Sequence, residues 1–262
     1  MRTMKVRKVM YPVALMAAAV ALFVISVPVH ASKTDDRIES SAMESYVFKT
    51  YLKGDDIKIK SNDGVVALTG TVSEASHESL ARETVASLPG VKSVDSKLQV
   101  KGEIPDAPLT DAWISAKVKT TLLFHRSVSA MTEVNTKDGI VTLKGDADNQ
   151  AQKDLTTEYA KDVDGVKDVK NEMTVLTAAA KPGKKTMGES IDDASITAMI
   201  KTTLLFHRST SALNTKVETN DGAVTLSGKA KNASEKDLAT KIVSDVKGVK
   251  NVKNQMTIES SE

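Results

Sequence analysis

The chain contains no cysteine. That excludes disulfide cross-links, thiol catalysis and thiolate metal sites. It also excludes a bacterial lipid anchor, which needs a cysteine at the start of the mature protein. No Gly-rich phosphate loop and no Ser-His-Asp order is visible. Neither His125 nor His207 has a second histidine nearby or a carboxylate at a ligand spacing. We therefore expect no enzyme, no metal and no cofactor. There is one long apolar run, Val13–Val27, and it is short for a membrane span.

That run follows Arg2, Lys5, Arg7 and Lys8 and precedes Val29-His30-Ala31. A basic start, an apolar middle and small residues before a cut site are the pattern of a secretory signal. We expect residues 1–31 to be removed after Ala31, leaving a soluble periplasmic protein without a transmembrane anchor. The 36 Lys+Arg and 34 Asp+Glu of the whole chain then become 32 and 34, because the signal holds four basic residues and no acids. The overall pI of about 8.5 is thus no sign of a nucleic-acid surface, and no nucleic-acid partner is expected.

What is present is repetition. Thr-Thr-Leu-Leu-Phe-His-Arg-Ser stands at 120–127 and again at 202–209. Asp-Gly pairs occur at Asp63-Gly64, Asp138-Gly139 and Asp221-Gly222, run-ending glycines at Gly70, Gly145 and Gly228, and Gly-Val pairs at Gly90, Gly165 and Gly248. All three landmarks move together, by 75 and then 83 residues. The chain is a tandem array of one small module.

Each copy opens with a helical stripe, such as Ile114, Val118 and Leu122, or Ile196, Ile200 and Leu204. Asp111 and Asp193 sit ahead of these stripes as expected helix caps. The Asp-Gly pair then joins two alternating strands, Ile57 and Ile59 before it and Val66 and Leu68 after it in copy one. A second helix follows (Leu155, Tyr159, Val163; Leu238, Ile242, Val246), with Asn232 and Glu235 as a capping pair. Gly90, Gly165 and Gly248 are expected to end it. Last strands are expected over Val91–Val100, Val166–Val175 and Val249–Ile258.

The expected fold is α+β: three tandem α-β-β-α-β modules, each a three-stranded mixed sheet with two helices on one face. The modules span 33–102, 109–177 and 190–258. A short Pro-containing linker (103–108) should hold modules one and two close. A flexible Ala/Lys/Gly linker (178–189) should leave module three more loosely attached.

Asp138–Gly145 with Gly165–Met173, repeated at Asp221–Gly228 and Gly248–Met256, resemble the BON domain. Copy one departs late, with Ser96 and Leu98 where the others have Asn and Met. The resemblance implies a non-enzymatic periplasmic protein of osmotic and envelope stress. It implies binding to phospholipid surfaces or, alternatively, a chaperone or adaptor role toward exported and outer-membrane proteins. A monomer is expected.

The candidate contact residues are few. His125, Arg126, His207 and Arg208 repeat between modules two and three. The foremost reading is structural: Phe124 and Phe206 pack at a helix end while the cations face its negative pole. A paired binding feature is the alternative. Trp113, the only tryptophan, suits either an interface or the edge of a core. Module three holds 10 basic and 7 acidic residues, with Lys247, Lys250 and Lys253 close together. It is the expected contact for an anionic phospholipid surface.

Overall fold

The computed structural model describes residues 33–101, 110–128, 131–176, 190–210 and 215–259. The proposed signal and both linkers lie outside these residues.

Module one contains α1 (Lys33–Glu44), α2 (Tyr46–Thr50), β1 (Asp56–Asn62), β2 (Val65–Val72), α3 (Ala75–Ala86) and β3 (Ser93–Val100). Module two contains α4 (Asp111–Phe124), β4 (Glu133–Lys137), β5 (Ile140–Lys144), β6 (Asp146–Ala147), α5 (Gln150–Asp162), β7 (Asp168–Asn171) and β8 (Thr174–Val175). Module three contains α6 (Asp193–Phe206), β9 (Thr215–Asn220), β10 (Ala223–Ala230), α7 (Ala233–Ser244), β11 (Asn251–Asn254) and β12 (Thr257–Ile258). In each, the hairpin is antiparallel and the last strand runs parallel to the middle one, as a helical crossover requires.

The hairpins turn on two residues with positive φ. Asp63, Asp138 and Asp221 lie at 52°, 54° and 49°, and the glycines after them at 80°, 81° and 75°. This is the type I′ turn that matches strand twist. Asp111 and Asp193 do not cap their helices as expected. Thr110 and Asp192 take that place, accepting from the amides of Trp113 and Ser195. The freed carboxylates reach the turn instead. Asp111 accepts from the amides of Asp138 and Gly139 at 2.7 and 2.8 Å, and Asp193 from Asp221 and Gly222 at the same distances. Asp35 does this in module one, accepting from Asp63 N, Gly64 N and Ser61 Oγ. One carboxylate at the start of each first helix therefore fixes that helix to its hairpin.

The late departure of copy one has a structural effect. In modules two and three the last strand is interrupted after Asn171 and Asn254. The Asn254 side chain donates to Lys236 O and Thr240 Oγ1 and accepts from Met256 N. Asn171 makes the same three bonds. The following Met173 and Met256 turn into the core, each 2% exposed. Ser96 lacks that amide, and β3 runs unbroken. The helices α3, α5 and α7 stop three or four residues before Gly90, Gly165 and Gly248. Those glycines, at φ near 90°, turn the chain into the last strand rather than end the helix directly.

Module three is not loosely held. Its Asp192 and Ser195 accept from the amides of Tyr46 and Val47 at the start of α2, at 2.7 and 3.1 Å. Lys201 pairs with Glu83 of α3 at 3.5 Å. Modules one and three share one apolar core that Phe124 of module two also enters. Small modules have modest cores, so burial between them adds stability that no single module could supply.

Candidate functional site

The repeated His-Arg-Ser segments meet across the boundary of modules two and three. His125 forms a bridge to Val246, and His207 to Val163. Arg126 Nη2 donates to the carbonyls of Ser244, Val246 and Val249 at 2.6, 3.0 and 2.7 Å. Arg208 Nη2 does the same to Lys161, Val163 and Val166. Ser127 Oγ donates to Asp245 and Ser209 Oγ to Asp162. Each segment thus binds carbonyls at and just beyond the end of the other module's second helix, where the helix dipole favours a cation. The expected cation at a helix end is present, but the helix belongs to the neighbouring module.

The two halves of this clasp differ in what covers the imidazole. Tyr159 of α5 stacks on His125, with ring centres 3.9 Å apart and planes at 10°, and its hydroxyl donates to Asp245 Oδ2 at 2.9 Å. Ile242 occupies the matching place in α7. His207 Nδ1 stands 2.7 Å from Asp162 Oδ2. His125 Nδ1 stands 3.3 Å from Asp245 Oδ2, off the line of a hydrogen bond. A groove of about 490 Å³ lies between α5 and α7, lined by Leu155, Tyr159, Leu238, Ile242 and His207 among others. Its lining includes His207 but not His125, on which the Tyr159 ring is stacked.

Burial lowers the pKa of His125, outweighing the Asp245 carboxylate beside it. Burial alone would raise Asp162, yet hydrogen bonds from His207 and Ser209 hold it below the usual carboxylate range. Asp245 is likewise lowered, with the neighbouring His125 and the bonds from Ser127 and Tyr159 overcoming burial.

Trp113 packs edge-on against Phe206 of module three, 5.7 Å between centres, at the inter-module contact. Lys117, which sequence reasoning passed over, is 3% exposed. Its Nζ lies 5.5 Å from the Trp113 ring centre and donates to Asp164 O and Oδ2 at 2.5 and 3.2 Å. Burial lowers its pKa against the pull of Asp164. Met199 holds the same place in module three. Lys247 is half-buried next to the clasp, its amide bonded to Phe124 O at 2.9 Å, and burial lowers its pKa. Lys250 and Lys253 are exposed. Lys253 extends from β11 opposite Thr225.

Ser73, His77 and Asp55 also come together in module one. His77 Nδ1 lies 2.6 Å from Asp55 Oδ2 and 3.3 Å from Ser73 Oγ. Both partners face the same ring nitrogen, so no proton can pass through the ring from serine to aspartate as a catalytic triad needs. Among the described residues no group of three or more His, Asp or Glu side chains could hold a metal ion.

The BON domain model matches three times, over residues 34–102, 110–177 and 192–260. The chain is a BON-domain protein. It is 33% identical over 201 residues to the osmotically-inducible protein Y of Escherichia coli K12, covering 76% of this chain and 96% of that protein. It is 28% identical over 170 residues to the outer membrane lipoprotein DolP of Haemophilus influenzae, covering 64% and 84%. Among solved structures, CdsD of the Chlamydia trachomatis type III secretion system aligns over 86% of this chain and 91% of its own, with a TM-score of 0.25 and 17% identity. The first two relatives named are thus an osmotically inducible and an outer membrane protein. No helix among the described residues is long and apolar enough to cross a membrane.

Proposed function

We propose that this BON-domain protein is exported to the periplasm, acts in envelope and osmotic stress without catalysis, and attaches to anionic phospholipid surfaces with module three leading. The observation that supports this is the charge left exposed once the clasp has used its arginines. The outer face of the module-three sheet carries exposed Lys216, Lys229 and Lys253 against Glu218, with Lys250 exposed at its head. Each lysine near an anionic membrane contributes up to about 1 kcal/mol, screened by salt.

The test is sedimentation with phosphatidylglycerol-containing and purely zwitterionic vesicles at low and physiological salt. Binding should be restricted to the anionic vesicles, weaken with salt, and disappear in Lys229→Glu/Lys250→Glu/Lys253→Glu. Equal binding by that variant would overturn the assignment. Lys247 is a candidate contact too, but its replacement would also disturb the clasp.

A further inference from the structure

Among the described residues the strand β1 is an unpaired edge of its sheet, which runs β1-β2-β3. Ser61 turns its amide away from β2 and gives it to Glu39 Oε1 of α1 at 2.8 Å. The alternation of a strand directs the amides and carbonyls of Ile59 and Ile57 to the same outer edge. Beside them, between α1 and β1, lies a groove of about 590 Å³ walled by Glu39, Met43, Ile57 and Ile59. A second cavity of about 430 Å³, reaching Phe48 and Leu52, meets it at Met43 and Ile57.

The edge strand recurs in each module, but its apolar lining is peculiar to module one. The position of Met43 is Lys119 in module two and Lys201 in module three, and that of Ile57 is Thr132 and Thr215. Lys119 and Lys201 each pair with a glutamate of module one, Glu74 at 3.7 Å and Glu83 at 3.5 Å. The helix position that two modules use to join the assembly is thus, in module one, a 53% exposed methionine. In the other modules Ser115 bonds Thr136 and Thr197 bonds Thr219, both at 2.7 Å, at the positions that Glu39 and Ser61 hold in module one.

We propose that the groove between α1 and β1 binds an extended polypeptide segment, which adds to β1 as a further strand and places apolar side chains at alternate positions over Met43 and Ile57. Outward amides and carbonyls two residues apart are matched by another strand and by no lipid or small anion. The adjoining cavity at Phe48 and Leu52 accepts a second apolar side chain, two residues along. The site lies in module one, apart from the lysines of module three, and stands whether or not those bind lipid. It gives the adaptor alternative a place on the molecule.

The probe is the soluble peptide acetyl-Lys-Val-Ser-Val-Ser-Val-Lys-amide, titrated into the isotope-labelled full chain and followed by NMR. We expect amide shifts and slowed hydrogen exchange at Ile57 and Ile59, and neither with a peptide carrying proline in place of the central valine. Met43→Lys/Ile57→Thr installs the residues that modules two and three already carry, so it should fold, with at most a small drop in melting temperature from the partly buried Ile57. It should lose at least tenfold in affinity. Absence of shifts at β1 would overturn the proposal. So would equal effects from the proline peptide, or unchanged binding by the double variant. A peptide-free dimer that the double variant abolishes would also overturn it, showing a second copy as the occupant.

Discussion

His207 Nδ1 lies 2.7 Å from Asp162 Oδ2, joining residues from different modules. With Asp162 ionised, the carboxylate can only accept, so Nδ1 carries the proton. The pair is one of two related contacts that make modules two and three a reciprocal unit.

The clasp should fail with loss of either arginine. Arg126→Ala removes a charged donor from three carbonyls at the end of α7, and Arg208→Ala does so at α5. Charge-assisted bonds contribute about 1.5–3 kcal/mol in favourable settings. Arg126 is largely exposed, so screening reduces this to about 1–2 kcal/mol. Urea unfolding should show a loss of that order for each variant. Lysine, a point donor, should recover little of it.

Acid should loosen the same contact. His125 has a folded pKa below its ordinary 6.5. The unfolded chain then takes up the proton first, so this contribution is complete above about 6.5 and falls as pH drops below it. Asp162 and Asp245 are lowered from 3.8. Their contribution is complete above that value and is lost as pH falls through the folded value. Melting temperatures measured from pH 7.5 to 3 should fall in two stages, and His125→Gln should remove the first.

The helix-to-hairpin tether should be separable from the clasp. Asp193→Ala leaves the amides of Asp221 and Gly222 without their partner. We expect a loss of about 1–3 kcal/mol, measured by thermal unfolding. Hydrogen exchange should rise first at the β9–β10 turn.

Gly70 lies at φ 120° with the space for a Cβ only 1.9 Å from Asp56 O. Both the backbone conformation and the contact oppose a side chain. Gly70→Ala should destabilise the protein by more than about 1 kcal/mol, and chemical denaturation would measure it.

Much of each module was legible in the residues. The Asp-Gly turns need two positive φ values, which few residue pairs adopt, so Asp63-Gly64 and its repeats are direct local signals. The stripes at Ile114, Val118, Leu122 and their counterparts report a 3.6-residue period that any window reveals. The role of Asp111 was less legible, because a carboxylate at a helix start can serve the helix or any amide nearby. Only the hairpin's position showed that it serves Asp138 and Gly139. Lys117 gave no signal at all. Its burial depends on Asp164 and Trp113 arriving together.

By itself the sequence determined that there are three modules, what each is made of, and which family they form, because those properties rest on contacts close along the chain and on letters repeated at fixed offsets. The tertiary structure alone decided that His-Arg-Ser of one module caps the helix of another, that module three is built into a core shared with module one, and that Met43 and Ile57 flank a free strand edge. These depend on which surfaces meet. Identical phrases at 120–127 and 202–209 do not reveal that, because a repeated segment encodes the same surface twice without saying where its partner lies.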